Sequence, residues 1–85
     1  MILIGNEERG SFMERRILTA KELGALVRET RKSQDFTQYD LAGITGVGRR
    51  FISDLENGKE TAQLGKVLHI VSSLGIVMTA SHKWK

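Results

Sequence analysis

The residues of this chain whose types and spacing could do chemistry stand together in GVGRRFISDLENG, residues 46 to 58. Ile52 and Leu55 lie three apart, as on the buried stripe of a short helix, which puts Arg49 and Arg50 at the helix start. A guanidinium can bond O6 and N7 of a guanine edge together, a contact worth about 1–3 kcal/mol of discrimination against the wrong base. Neighbours on a helix project about 100° apart, so both arginines cannot read one base in the same way. One reading a base while the other holds phosphate is the expected division. Ser53, four residues after Arg49 and on the same face, could reach a base or a phosphate. Gly48 has no side chain, which lets the chain's own backbone approach DNA closely. The plainer reading of the arginines is a solvated basic face.

The elements that would position these residues can be read outward from them. Thr19-Ala-Lys-Glu22 has the form of a capping box, in which the threonine hydroxyl takes a first-turn N–H and the glutamate reaches back. Leu23, Leu26, Val27 and Thr30 then recur at three and four residues, predicting a helix to about Ser33. Arg28, Arg31 and Lys32 load its last turns with positive charge, which suits the helix dipole. Thr37 and Asp40 repeat the cap signal before a short helix from Gln38 to about Thr45, with Leu41, Ala42 and Ile44 as its apolar residues. Gly46 ends it. The next helix runs from about Gly48 to Glu56, and Gly58 stops it. A fourth helix begins after Thr61, with Leu64, Val67, Leu68, Val71 and Leu74 as its expected buried stripe and Gly75 as its end. Gly65 inside it costs roughly 1 kcal/mol against alanine, so a close helix contact is expected there.

Ile76, Val77, Met78, Thr79 and Ala80 are β-branched or apolar and suit a strand. One strand cannot satisfy its own backbone groups. Its partner is either Ile2-Leu3-Ile4 or the same strand in a second chain, and no hairpin signal lies beside it. The rest of residues 1 to 15 shows neither period. The expected organisation is an arm over 1–15, a helical domain over 16–75, and a dimerisation strand with tail over 76–85.

Counted from Gln38, Leu41 is fourth, Ala42 fifth, Gly46 ninth, Val47 tenth, Ile52 fifteenth and Leu55 eighteenth. A helix-turn-helix needs this arrangement. The fifth residue must be small where the helices cross, the ninth must accept a positive φ, and the others form the core between the helices. Thr45, at the eighth, is more polar than usual. In such a unit the start of the second helix points at base edges in the major groove, where Gly48, Arg49, Arg50 and Ser53 stand. Gln38 opens the first helix of the pair, and its N–H and amide would meet a phosphate. Thr37 either shares that role or only caps. Asn57 and Lys59 follow the second helix and are expected on the flanking phosphates, which position a protein without reading sequence. Asp54 would repel phosphate, so it should turn away or pair with an arginine.

Over residues 19 to 80 the chain resembles the HipB family of antitoxins, within the phage-repressor-like helix-turn-helix class. LGALVRETRK, TQYDLAGITGVGRRFISDLENGK and QLGKVLHIVSSLGIVMT carry the resemblance. It implies an all-α bundle of four to five short helices whose C-terminal β-strand pairs across a homodimer. It also implies an ion pair between Arg31 and Glu56 that locks the second helix of the motif. The implied partners are double-stranded DNA and a HipA-like serine/threonine kinase toxin, with autoregulation of the operon. A two-fold dimer would set two reading helices about 34 Å apart, one turn of DNA, and so select a palindromic operator. The chain departs from the family at Asp35, where glycine or asparagine is usual in a left-handed turn, and at Glu60, where proline is common. Residues 1 to 15 have no counterpart.

Composition is consistent with this and narrows the rest. The chain has 85 residues, a net charge of +3, 40% hydrophobic and 27% charged residues, 9 glycines, and neither proline nor cysteine. That is one small domain that gains from a partner subunit. Disulfides and thiolate metal sites are excluded. The apolar start is too short for a signal peptide or a membrane span, and a soluble cytoplasmic protein is expected. No enzyme is expected. Phe51 occupies the last glycine position of a GxGxxG beginning at Gly46, and Ser53 has no histidine partner. His69 and His82 are 13 residues apart without cysteine, so neither metal nor cofactor is expected. Trp84 is either an anchor for a protein partner or a packed terminal residue. The competing readings are a phage-type repressor with no toxin and an interaction module that has lost DNA binding.

Overall fold

Where a threonine and a carboxylate stand three residues apart, this chain starts a helix. The computed structural model describes residues 2–6 and 11–83, with side chains from Glu14 onward. Its elements are β1 (Ile2–Asn6), β2 (Ser11–Arg15), α1 (Ala20–Ser33), α2 (Gln38–Thr45), α3 (Arg49–Glu56), α4 (Leu64–Ser73) and β3 (Ile76–Met78). Both capping boxes form. The Thr19 hydroxyl accepts the Glu22 N–H at 3.1 Å, and Glu22 accepts the N–H groups of Leu18 and Thr19 at 2.7 and 3.0 Å. Thr37 and Asp40 exchange the same bonds at 3.0 and 2.9 Å. The backbone N–H of Leu18 holds the Glu22 carboxyl below its ordinary range, and that of Thr37 does the same for Asp40. Thr37 is therefore engaged as a cap.

The core joins Leu26 and Val27 of α1, Leu41 of α2, Val47, Ile52 and Leu55 of the α3 region, and Val67, Ile70, Val71, Leu74 and Ile76. Each fully buried aliphatic side chain contributes about 1.5–3 kcal/mol. Thr45 is buried among them, but its hydroxyl donates to the Leu41 carbonyl at 2.8 Å and accepts the Val47 N–H at 3.2 Å. His69 Nε2 donates to the Thr45 carbonyl at 2.8 Å, tying α4 to the end of α2. Gln34 reaches the Leu74 carbonyl at 2.8 Å and joins the ends of α1 and α4.

Two expectations about packing, the α4 stripe and the contact at Gly65, are corrected. Leu64 and Leu68 lie outside the core, 67% and 44% exposed, while Ile70 is fully buried. The inward face of α4 is thus Val67, Ile70, Val71 and Leu74. Ile44 of α2 is exposed as well. Gly65 faces open space, with nothing within 4 Å of the place a Cβ would take. The close crossing is at Gly24, buried in α1, where a Cβ would fall on the Leu55 carbonyl oxygen and within 2.9 Å of that of Glu56. Only glycine lets α1 approach the end of α3 so closely.

The strands form one antiparallel sheet in the order β2-β1-β3. Ile2, Leu3 and Ile4 face Met78, Val77 and Ile76, so β3 takes the first of its two candidate partners, within its own chain. Thr79 and Ala80 fall beyond the strand. The arm contains a second strand that its sequence did not signal, with Ile2↔Arg15 to Asn6↔Ser11 in register. Arg15 on β2 pairs with Glu29 of α1 at 2.9 Å. The outer edge of β3 carries no further strand among the described residues. Trp84 lies outside the described residues.

Alanine at Gly24 should destabilise the fold. Overpacking against backbone costs about 1–3 kcal/mol, and the gain in helix propensity is at most about 1 kcal/mol. A urea titration of Gly24→Ala against the wild type measures the net loss.

Candidate nucleic-acid interface

A buried ion pair stands behind the exposed arginines. Arg31, from the last turn of α1, meets Glu56, the last residue of α3, with Nε to Oε2 at 2.7 Å and Nη2 to Oε1 at 2.9 Å. The two side chains are 8% and 3% exposed. Arg31 Nη1 also donates to the Phe36 carbonyl at 2.7 Å, in the connection to α2. The bond from Glu56 raises the Arg31 pKa above its ordinary value, so the guanidinium stays charged. Asp35 makes that connection turn, with a φ of 61° in the left-handed region, which aspartate tolerates better than most residues.

Gln38 extends the pair outward. Its Nε2 donates to Glu56 Oε1 at 3.1 Å, and its Oε1 accepts from Arg49 Nη1 at 3.2 Å. The Gln38 side chain was expected on a phosphate, but it is engaged on both atoms within the protein. One polar chain runs from Arg31 through Glu56 and Gln38 to Arg49. It spans α1, α2 and α3. The sequence alone did not signal this use of Gln38, because it depends on a Glu56 oxygen 18 residues away.

The remaining candidates lie around α3. Gly46 closes α2 with a φ of 74°, as the turn requires. Gly48 is the N-cap of α3 and supplies no side-chain bond, so the first-turn N–H groups keep their affinity for an anion. Arg49 and Arg50 are exposed and Ser53 is half-buried. Arg50 Nε lies 3.5 Å from Asp54 Oδ1, and Lys59 Nζ lies 3.7 Å from Asp54 Oδ2. Asp54 thus faces two cations, and Lys59 is partly occupied. Asn57 caps the C-terminus of α3 through its N–H and is exposed. The structure brings Gln38 to Arg49, and Arg50 and Lys59 to Asp54. Tyr39 was missed altogether, although its ring sits 4.9 Å from Arg49 Cζ.

Two short helices, α2 and α3, joined by a glycine turn and crossed over a small apolar core, are the geometry of a helix-turn-helix. The family model described as Helix-turn-helix matches residues 27–76. The chain belongs to the helix-turn-helix family. It is 57% identical over 63 residues to an uncharacterised HTH-type transcriptional regulator, y4mF, of Sinorhizobium fredii, covering 74% of this chain and 83% of that protein. It is 40% identical over 43 residues to the ImmF control region 10 kDa protein of Bacillus phage phi105, covering 51% of this chain and 48% of that one. Among solved structures, it resembles a chain of the HipA-HipB-O2-O3 complex with a TM-score of 0.75 and 25% identity, over 84% of this chain and all of that one. A chain of the HipB-O4 20mer complex matches with a TM-score of 0.74 and 26% identity, over 81% and 97% of the two chains. The helix-turn-helix of this protein is therefore set within a four-helix, HipB-like fold. No helix of the described residues is long and apolar enough to cross a membrane.

Removing one partner of the buried pair should expose the cost of the other. Arg31→Met leaves the Glu56 carboxylate buried with only Gln38 as partner, a loss of about 3–5 kcal/mol. The double variant Arg31→Met/Glu56→Leu should recover most of that loss, because no buried charge remains. Urea denaturation of the wild type, the single and the double variant checks both outcomes.

Proposed function

We propose that this protein is a sequence-specific DNA-binding repressor and the antitoxin of a HipA-like serine/threonine kinase toxin, autoregulating their operon from a palindromic site. The observation that carries DNA reading is the placement of Arg49 and Arg50. They stand exposed at the N-terminus of α3, a helix fixed from behind by the Arg31–Glu56 pair. In this reading Arg49 and Arg50 meet the groove with Gly48 and Ser53, one arginine on a base edge and the other on phosphate. The α2 N-terminus, Asn57 and Lys59 hold the flanking phosphates, with Lys59 released from Asp54 as it does so. A phosphate role for Thr37 rests on its backbone, since its hydroxyl caps α2.

Action as a homodimer is supported by residues the core leaves out. Leu64 and Leu68 lie one turn apart on the open face of α4, and Val77 and Met78 of the edge strand β3 are half-exposed. A second copy would cover them and pair β3 along its open edge, extending the sheet across the two-fold axis. The kinase partner rests on likeness to the HipB chain of the HipA-HipB-O2-O3 complex over that chain's whole length. The O2-O3 and O4 20mer of those complexes we read as operator DNA. The protein acts by binding and not by catalysis, in the cytoplasm where DNA is available. The similarity to the phage phi105 control protein favours a second reading, a phage-type repressor with no toxin.

The test is a binding titration against the duplex upstream of this protein's own gene and against a scrambled duplex, at low and near-physiological salt. Specific binding at the higher salt is expected. Arg49→Ala should lower the preference for the specific duplex by about 5- to 150-fold, the equivalent of one lost bidentate base contact. Equal binding to both duplexes that fades with salt would reduce the site to phosphate attraction. Co-purification with a kinase encoded beside the gene separates the antitoxin from the phage-type repressor.

A further inference from the structure

Tyr39 is a large aromatic residue on the first turn of α2, 72% exposed. Neither the core nor the cap of α2 needs it, since Thr37 and Asp40 complete that cap without it. Its ring faces the Arg49 guanidinium, with Cζ 4.9 Å from the centroid, while Gln38 accepts from Arg49 Nη1 on another side. We propose that Tyr39 is a positioning residue for base readout, holding the Arg49 guanidinium in one plane so that a fixed edge is presented to a guanine. The proposal rests on the reading above, in which Arg49 contacts a base.

The donors left over make this specific. A guanidinium has five N–H groups in a planar fork. The tyrosine ring occupies a face, which uses none of them. Gln38 takes one hydrogen of Nη1. The Nε and Nη2 hydrogens remain, and together they form an edge that can bond guanine O6 and N7 side by side. Ring and amide thus restrict the plane and the rotation of Arg49 without consuming the edge that reads. Arg50 has no such support. Its side chain is 88% exposed, and it lies 3.5 Å from the Asp54 carboxylate. That contact draws its charge toward an acid and suits it to exchange for phosphate. The structure therefore separates the two arginines: Arg49 is the reader and Arg50 the backbone contact.

The experiment uses the full chain and a duplex that the wild type selects from a random pool, with a scrambled duplex as reference. Affinities are compared for the wild type, Tyr39→Phe, Tyr39→Leu, Arg49→Ala and the double variant Tyr39→Leu/Arg49→Ala, with thermal melting as the control for fold. Tyr39→Phe keeps the ring and should keep the selected-to-scrambled ratio. Tyr39→Leu should lower that ratio about two- to fivefold, the strength of an exposed cation–π contact, with the salt slope unchanged. In the Arg49→Ala background it should change nothing more. Three outcomes overturn the proposal alone while Arg49→Ala still loses discrimination. Tyr39→Leu is silent, its effect persists undiminished without Arg49, or Tyr39→Phe loses as much as Tyr39→Leu, which would place the hydroxyl on a phosphate. If Arg49→Ala leaves discrimination intact, the base-reading role of Arg49 falls, and this proposal with it.

Discussion

The ion pair between Arg31 and Glu56 is the constraint on which the proposed DNA-facing surface depends. It joins the last turn of α1 to the last residue of α3 through two hydrogen bonds, inside a region almost closed to water. A buried pair of this kind adds little stability compared with an apolar packing of the same volume. What it adds here is direction. Glu56 has lone pairs left after binding Arg31, and one receives Gln38. Gln38 in turn has a carbonyl left, and it receives Arg49. Each link uses the hydrogen-bonding capacity that the preceding one leaves over, and the last link is at the protein surface.

The apolar core and this polar chain have different tasks. Leu41, Ile52 and Leu55 hold α2 and α3 at their crossing, and Gly24 lets α1 close onto the end of α3. That packing fixes where α3 lies. It cannot fix where an exposed side chain at the other end of α3 points. Long side chains such as arginine lose considerable rotamer freedom when they are held. Gln38 and Tyr39 apply that restriction to Arg49 before any partner arrives, and the ordering cost is then smaller on binding. Arg50, tied loosely to Asp54, keeps its freedom, which suits a contact that only has to find a charge.

Local features were legible in the sequence, and features that join distant segments were not. Both capping boxes and the glycine turn at Gly46 follow from neighbours within four residues, the left-handed turn at Asp35 was implied by the family resemblance, and each stands where it was expected. The α4 stripe was misassigned at Leu64 and Leu68 because apolar periodicity shows that a face is buried without showing against what. Strand β2 escaped notice because SFMER has no clean alternation, and its pairing depends on β1. Both Gly24 and Gly65 lie inside helical patterns, and only the packing of α1 on the end of α3 distinguishes the close crossing at Gly24 from the open space at Gly65. At the site, the arginines were visible from their spacing. The inward turn of Gln38 and the ring of Tyr39 were not, since both roles exist only once α2 and α3 are packed together.

The most direct measurement is nitrogen-15 relaxation at the arginine Nε positions of the free protein. Arg49 should be markedly more ordered than Arg50, and Gln38→Ala should raise its mobility toward that of Arg50 while α3 stays helical. Equal, high mobility of the two side chains in the wild type would contradict a guanidinium oriented in advance by the chain that starts at Arg31 and Glu56.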